Sequence, residues 1–160
     1  MSPSCRAAYH ILRVLLAMSV FALVTGCGTS PPKPTVIAAS VEAAPDLNPD
    51  SKGRPSPIVV RLFELKSVAA FDAADFFSLW DRERETLTAE LVDRDEFQLR
   101  PSEQKSFERT LQADTRYVAV IAAFRDLERA QWRGAVAVAP HHSQPITIRL
   151  GARNVTVSAR

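Results

Sequence analysis

From Thr35 onward the chain runs as short apolar stretches broken by Pro, Gly, Asn and Asp, at the spacing of strands rather than long helices. The clearest predicted strands are Thr35 to Ala43, Ile58 to Leu65, Tyr117 to Phe124, Trp132 to Val138, Ile146 to Leu150 and Val155 to Ser158. Weaker candidates are Leu87 to Val92, Phe97 to Leu99 and Ser106 to Leu111. Near the carboxyl end Ile146, Ile148 and Leu150 share one face, with Thr147 and Arg149 on the other. Val155 and Val157 repeat the alternation, so Gly151-Ala152-Arg153 predicts a hairpin turn. Tyr117 to Phe124 is apolar on both faces, the pattern of a central strand covered on each side. Its outer cover is expected from Ser67 to Asp81, where Phe71, Phe76, Leu79 and Trp80 fall at helical intervals and Ser67 and Asp75 can cap two short helices. The pattern therefore predicts an all-β fold: a two-sheet β-sandwich over residues 35–160 with a small helical insert at about 67–86. Eight short strands can also close into a barrel.

The amino-terminal residues follow another logic. Ile11 to Val24 is apolar, Arg6 and Arg13 precede or open it, and no acid occurs before Glu42. A basic start, a short apolar core and then small residues predict a secretory signal peptide over residues 1–26. Val24-Thr25-Gly26-Cys27 at its end resembles the bacterial lipobox, with cleavage between Gly26 and Cys27. Small side chains let the backbone enter the peptidase site, and the Cys27 thiol carries a thioether-linked diacylglycerol. In such lipoproteins the freed amine is acylated too, and at about 0.8 kcal/mol per buried methylene three chains make a permanent anchor. Gly28, where an Asp would retain the protein at the inner membrane, implies sorting to the periplasmic face of the outer membrane. Residues 27–34 then form a lipidated, Pro-rich tether; at about 3.1 Å per residue Thr29 to Pro34 hold the domain roughly 20 Å from the lipid.

Composition agrees with a single exported module. The chain has 160 residues, 46% hydrophobic and 24% charged, enough for one core. The formal charge of +2 comes from Arg6 and Arg13; removing them from 20 basic residues leaves 18 against 18 acidic ones. A neutral mature chain gives no electrostatic footprint for nucleic acid. Cys5 is lost with the signal peptide and Cys27 is lipidated, which excludes a disulfide in the mature chain and any CxxC redox or metal motif.

The sequence carries no catalytic set. Ser56 and Ser78 lack a nucleophile-elbow context, and no Gly-rich loop opens a helix for phosphate. His141 and His142 are adjacent and project apart, as in a solvated turn. Asp93, Asp95 and Glu96 read as an exposed acidic turn, with too few oxygen ligands and no glycine for calcium. Arg125-Asp126-Leu127-Glu128-Arg129 reads as a solvated loop of mixed sign, with arginines of a kind favoured at protein contacts. Trp80 and Trp132 read as core anchors. The segment that stands out is Ala44 to Pro57, long for a simple hairpin. Its prolines and Gly53 pre-set the backbone, and Asp46, Asn48, Asp50, Lys52 and Arg54 offer polar contacts; on residues alone it is either a rigid surface loop or a partner site.

A set of motifs runs through the mature chain in a specific order: Asn48-Pro49-Asp50, Gly53-Arg54-Pro55-Ser56-Pro57, Val59-Val60-Arg61-Leu62-Phe63-Glu64-Leu65-Lys66 and Ala74-Asp75-Phe76-Phe77-Ser78-Leu79. Leu99 with Pro101, Tyr117, Ala122-Ala123-Phe124-Arg125-Asp126 and Trp132-Arg133 follow. With them the chain resembles the TssJ (SciN/VasD) family of type VI secretion outer-membrane lipoproteins. One departure is Pro101-Ser102-Glu103, where Gly is expected after the proline. The resemblance implies a transthyretin-like sandwich with a helical addition and no catalytic residues or cofactor beyond the lipid on Cys27. It implies binding to the periplasmic carboxyl-terminal domain of TssM and, through the shared membrane complex, association with TssL. It also implies that the connection between the first two strands, Pro45 to Pro55, makes the contact, so that Asp46, Leu47, Asn48, Pro49, Asp50, Lys52, Gly53, Arg54 and Pro55 become the partner-binding residues. The competing reading is a lipid-anchored small-ligand carrier or hydrolase on the same fold, with His141, His142 or the acids near Asp93 lining a pocket.

Overall fold

The computed structural model of the chain describes residues 33–159. Val24, Thr25, Gly26, Cys27 and Gly28, and the tether up to Pro32, lie outside the described residues. Eight strands form two four-stranded sheets: β1 (Val36–Ala43), β2 (Ile58–Leu65), β3 (Leu91–Leu99), β4 (Gln104–Thr110), β5 (Tyr117–Ala122), β6 (Arg133–Ala137), β7 (Ser143–Leu150) and β8 (Val155–Ala159). One sheet has the order β4-β1-β7-β8 and the other β3-β2-β5-β6. All neighbours are antiparallel except β1 and β7. The fold is an all-β sandwich.

Between the sheets lies a core of Ile37, Val41, Ile58, Val60, Leu62, Val118, Val120, Ile146 and Ile148, all at most 2% exposed. A second core lies outside β2 and β5, where Phe63, Leu65, Ala119 and Ile121 meet Phe71, Phe76, Leu79 and Leu87 of the insert. Strand β5 thus buries both faces, as its doubly apolar sequence predicts. The insert is three short helices, α1 (Ala69–Ala73), α2 (Phe76–Asp81) and α3 (Glu83–Leu87), followed by a 3-10 turn at Thr88–Glu90. Helices this short do not hold by propensity; packing on the sheet holds them. Asp75 caps α2, accepting from the Ser78 amide at 2.9 Å, and Ser67 Oγ accepts from the Ala69 amide ahead of α1. Arg133 joins insert to sheet by donating to the carbonyls of Phe71 and Ala74.

Three sequence expectations change. Leu87 ends α3 and is fully buried, so the strand expected at Leu87 to Val92 begins at Leu91 and continues unbroken through Phe97 to Leu99. Asp93, Asp95 and Glu96 therefore lie on strand β3 and not in an acidic turn; arginine neighbours make their charges compatible with a sheet edge. Strand β7 begins at Ser143, three residues before Ile146, and contains Pro145. The β7–β8 ladder starts only at Ile146, so the proline sits just beyond it. The hairpin across Gly151-Ala152-Arg153 forms as expected, with Leu150 opposite Val155.

The registers divide the connections between two ends of the sandwich. Strand β1 starts at Val36 beside Ser143 and Thr110 and finishes at Ala43 beside Leu150. The β1–β2, β3–β4, β5–β6 and β7–β8 connections all lie at the Ala43 end, whereas Lys33 to Thr35 and the β4–β5 and β6–β7 connections lie at the other. Eight extended residues of β1 separate the two poles by about 25 Å.

Candidate partner-binding pole

The β1–β2 loop is built around two buried residues. Leu47 is fully buried in the sandwich core, and Asn48 is 3% exposed. Asn48 has a φ of +46°, a left-handed conformation that asparagine tolerates better than most residues. Its Nδ2 donates to the Pro57 carbonyl at 2.9 Å and its Oδ1 accepts from the Arg125 amide at 2.8 Å. One side chain thus fastens the loop to the entry of β2 and to the β5–β6 connection. Leu47 and Asn48, expected among the partner-binding residues, lie beneath the loop surface and shape it. Asn48→Ala is expected to cost about 2–3 kcal/mol in denaturant unfolding, because two part-buried backbone groups lose their partners; a loss below about 0.5 kcal/mol would contradict this role.

Above them Asp50 organises the tip. Its Oδ1 accepts from the amides of Lys52 at 2.8 Å and Arg54 at 3.0 Å, and its Oδ2 accepts from Arg54 Nε at 2.7 Å. The Gly53 amide donates to the Asp50 carbonyl at 2.9 Å and the Asp50 amide to the Arg54 carbonyl at 2.9 Å, closing a tight turn. Gly53 sits at φ +77°, where a side chain would be strained. Asp46, Ser51, Lys52, Gly53, Arg54 and Pro55 are exposed, and Pro49 and Asp50 half-buried. The Arg54 amide and guanidinium, with the Lys52 amide, hold the Asp50 carboxyl down to about 2. Because the folded value lies below the usual carboxylate value, this contribution to stability is complete above about pH 4 and is lost as pH falls through about 2. An NMR titration of the Asp50 carboxyl should give a midpoint near 2 that the Arg54 Nε resonance follows; a midpoint near 4 would show the clamp absent.

Two further loops reach the same pole. Gln131 pairs with Asn154 in an isolated bridge, its amide donating to the Arg153 carbonyl at 2.8 Å. Arg153 Nε donates to Asp126 Oδ2 at 3.2 Å, and Arg129 lies 3.9 Å from the same oxygen. The result is an open cleft lined by Pro49, Asp50, Ser51 and Gly53 on one side and Arg125, Asp126, Arg129 and Arg153 on the other. The sequence shows Arg125 to Arg129 as a loop of possible contact type; that Arg153 joins it depends on sheet order, which no local pattern reveals.

The remaining candidates lie elsewhere. His141 and His142 are on the β6–β7 turn at the tether pole, where His141 Nδ1 is 2.8 Å from the Lys33 carbonyl and the His141 amide donates to Thr35 Oγ1. Asp93 and Asp95 pair with Arg109. Among the described residues no three His, Cys, Asp or Glu side chains are grouped to hold a metal ion. Arg109 also leads to a buried group that sequence reasoning missed. Its Nε donates at 2.8 Å to Glu64, which is 1% exposed and also accepts from the Gln112 amide and the Thr115 hydroxyl. Glu64 is on β2 and Arg109 on β4, so this pair ties one sheet to the other.

The profile of the family described as type VI secretion lipoprotein (VasD, EvfM, TssJ) matches residues 35–153. The chain belongs to this family. Among solved structures it is similar to the type VI secretion lipoprotein TssJ1 from Pseudomonas aeruginosa, at 44% identity and a TM-score of 0.75, covering 81% of this chain and 98% of that one. It is also similar to Lip from Serratia marcescens, a membrane-bound component of the type VI secretion system, at 26% identity and a TM-score of 0.71, covering 77% and 96%. A chain of a structure described as the type VI membrane complex shares the fold at 22% identity and a TM-score of 0.68, covering 77% and 97%. No curated protein matches the sequence. A type VI secretion lipoprotein is a structural component of that secretion system.

Proposed function

We propose that this lipoprotein ties the periplasmic carboxyl-terminal domain of TssM, and through it TssL, to the outer membrane. The observation that carries this reading is the placement of the entering chain and the rigid loops at opposite poles. Lipid on Cys27, after cleavage that reads Val24, Thr25 and Gly26, holds the tether pole, and Gly28 directs the protein to the periplasmic face of the outer membrane. The far pole then points into the periplasm. There Asp46, Pro49, Asp50, Lys52, Gly53, Arg54 and Pro55 form the contact surface, with Leu47 and Asn48 supporting it from below. Because Asp50, Gly53 and Asn48 already fix the loop, little ordering entropy is lost on association. A carrier or hydrolase on this fold would need convergent polar groups in a pocket, and His141 at the tether pole and Asp93 paired with Arg109 do not supply them. The test is recovery from solubilised envelope with the acylated protein as bait. TssM is the expected prey, and its absence under conditions that retain the bait's lipid would refute the reading.

A further inference from the structure

We propose that the cleft between the β1–β2, β5–β6 and β7–β8 connections takes a carboxylate-rich segment of the protein partner, with Arg125, Arg129 and Arg153 as its receptors; this rests on the reading of that pole as the partner-binding end. Three arginines and two aspartates line the cleft, but the aspartates are already committed. Asp50 is saturated by Arg54 and two amides of its own loop. Asp126 faces two guanidinium groups, touching Arg153 through a single nitrogen and Arg129 only at 3.9 Å.

Donors are thus left over. The Arg153 and Arg129 side chains are 50% and 79% exposed, and Arg125 is an exposed residue whose amide is fixed by Asn48. In a mature chain with 18 basic and 18 acidic residues, a local excess of guanidinium is a deliberate asymmetry. The other hollow of comparable size shows the contrast. Beside the helical insert the lining carries four acids and two arginines, with Glu83 and Glu96 paired to Arg94 and Arg61, so that hollow has no excess of guanidinium.

The guanidinium fork matches a carboxylate with two parallel hydrogen bonds, a geometry that favours Asp and Glu side chains of a docking segment. The backbone behind the cleft is preorganised, since Gln131 bridges to Arg153 and Val155, and Asn48 bridges to Arg125. An anionic lipid headgroup offers similar chemistry. The pole lies about 25 Å from Lys33 to Thr35, at the opposite end of the sandwich from where the described chain enters, which favours a protein.

The test is a titration of the acylated protein in detergent with the TssM periplasmic domain at several salt concentrations. Arg125→Glu/Arg129→Glu should weaken binding at least tenfold, about 1.4 kcal/mol, with unchanged thermal unfolding, while Arg125→Lys/Arg129→Lys should keep the salt dependence of the parent and lose less affinity than the reversed variant, the loss being that of the bidentate fork. Separately, a short polyglutamate peptide should shift the side-chain Nε resonances of Arg125, Arg129 and Arg153 in the parent and leave that of Arg153 unmoved in the reversed variant. If the reversed variant binds TssM as tightly as the parent while Asp50→Ala/Arg54→Ala loses binding, the pole is right and this cleft proposal is overturned. If the parent does not bind TssM at all, the partner reading fails, and the peptide decides the cleft alone: shifts support it and their absence overturns it. Shifts produced by phosphatidylglycerol vesicles but not by the peptide would also overturn it, in favour of lipid.

Discussion

Replacing Arg109 by methionine is expected to lower the stability of the domain by about 3–5 kcal/mol, seen as a fall in the denaturation midpoint without a change in slope. Glu64 is 1% exposed, and among the described residues Arg109 is its only cationic partner; the Gln112 amide and Thr115 hydroxyl supply hydrogen bonds but no charge. Without Arg109 a carboxylate is left buried and uncompensated. The cost comes from that imbalance, so adding Glu64→Leu to Arg109→Met should restore most of the loss, since an apolar pair is often as stable as a buried ion pair. The coupling between the two positions should be several times that of Arg149 and Glu42, a pair 3.0 Å apart but 58% and 39% exposed, whose expected worth is at most about 1 kcal/mol. A coupling equal to that of the surface pair would mean that Glu64 and Arg109 do not join the sheets in the way described.

Cys27→Ser is expected to abolish membrane retention and secretion together while leaving the domain folded and able to bind TssM. Strand β1 begins at Val36 and the buried core of the sandwich runs from Ile37 to Val155, all downstream of position 27. The proposed acyl chains on Cys27 would hold by burial of methylenes, at about 0.8 kcal/mol each, and a serine would carry none of them. Fractionation and a secretion assay on the same cells separate the outcomes. Secretion by a soluble Cys27→Ser protein would show that anchoring is not the function.

The fold was legible wherever one short segment carries its own signal. The doubly apolar run at Tyr117 to Phe124 announces a covered strand, and Phe71, Phe76 and Leu79 announce the helices that cover it. Strand β3 was harder, because Asp93, Arg94, Asp95 and Glu96 interrupt its apolar pattern. They are tolerated on a sheet edge by Arg61 and Arg109, which are distant in sequence. Glu64, flanked by Phe63 and Leu65 in an otherwise apolar strand, was a visible irregularity whose partner could not be seen. In the loop, the Asn-Pro-Asp and Gly-Arg-Pro runs correctly mark fixed backbone. Which residues face outward does not follow from composition, and Leu47 and Asn48 turn inward because the open end of the core needs an apolar plug and a polar pin. Ser102, at φ +63°, explains why glycine suits the turn after Pro101: the backbone there is left-handed.

The central claim is polarity: lipid at one end of the sandwich and partner at the other. Photo-crosslinking in intact envelope tests it directly, with a benzophenone side chain in place of Lys52 at the loop pole or His142 at the tether pole. The account predicts a TssM adduct from position 52 and none from position 142. An adduct from position 142 alone would contradict it.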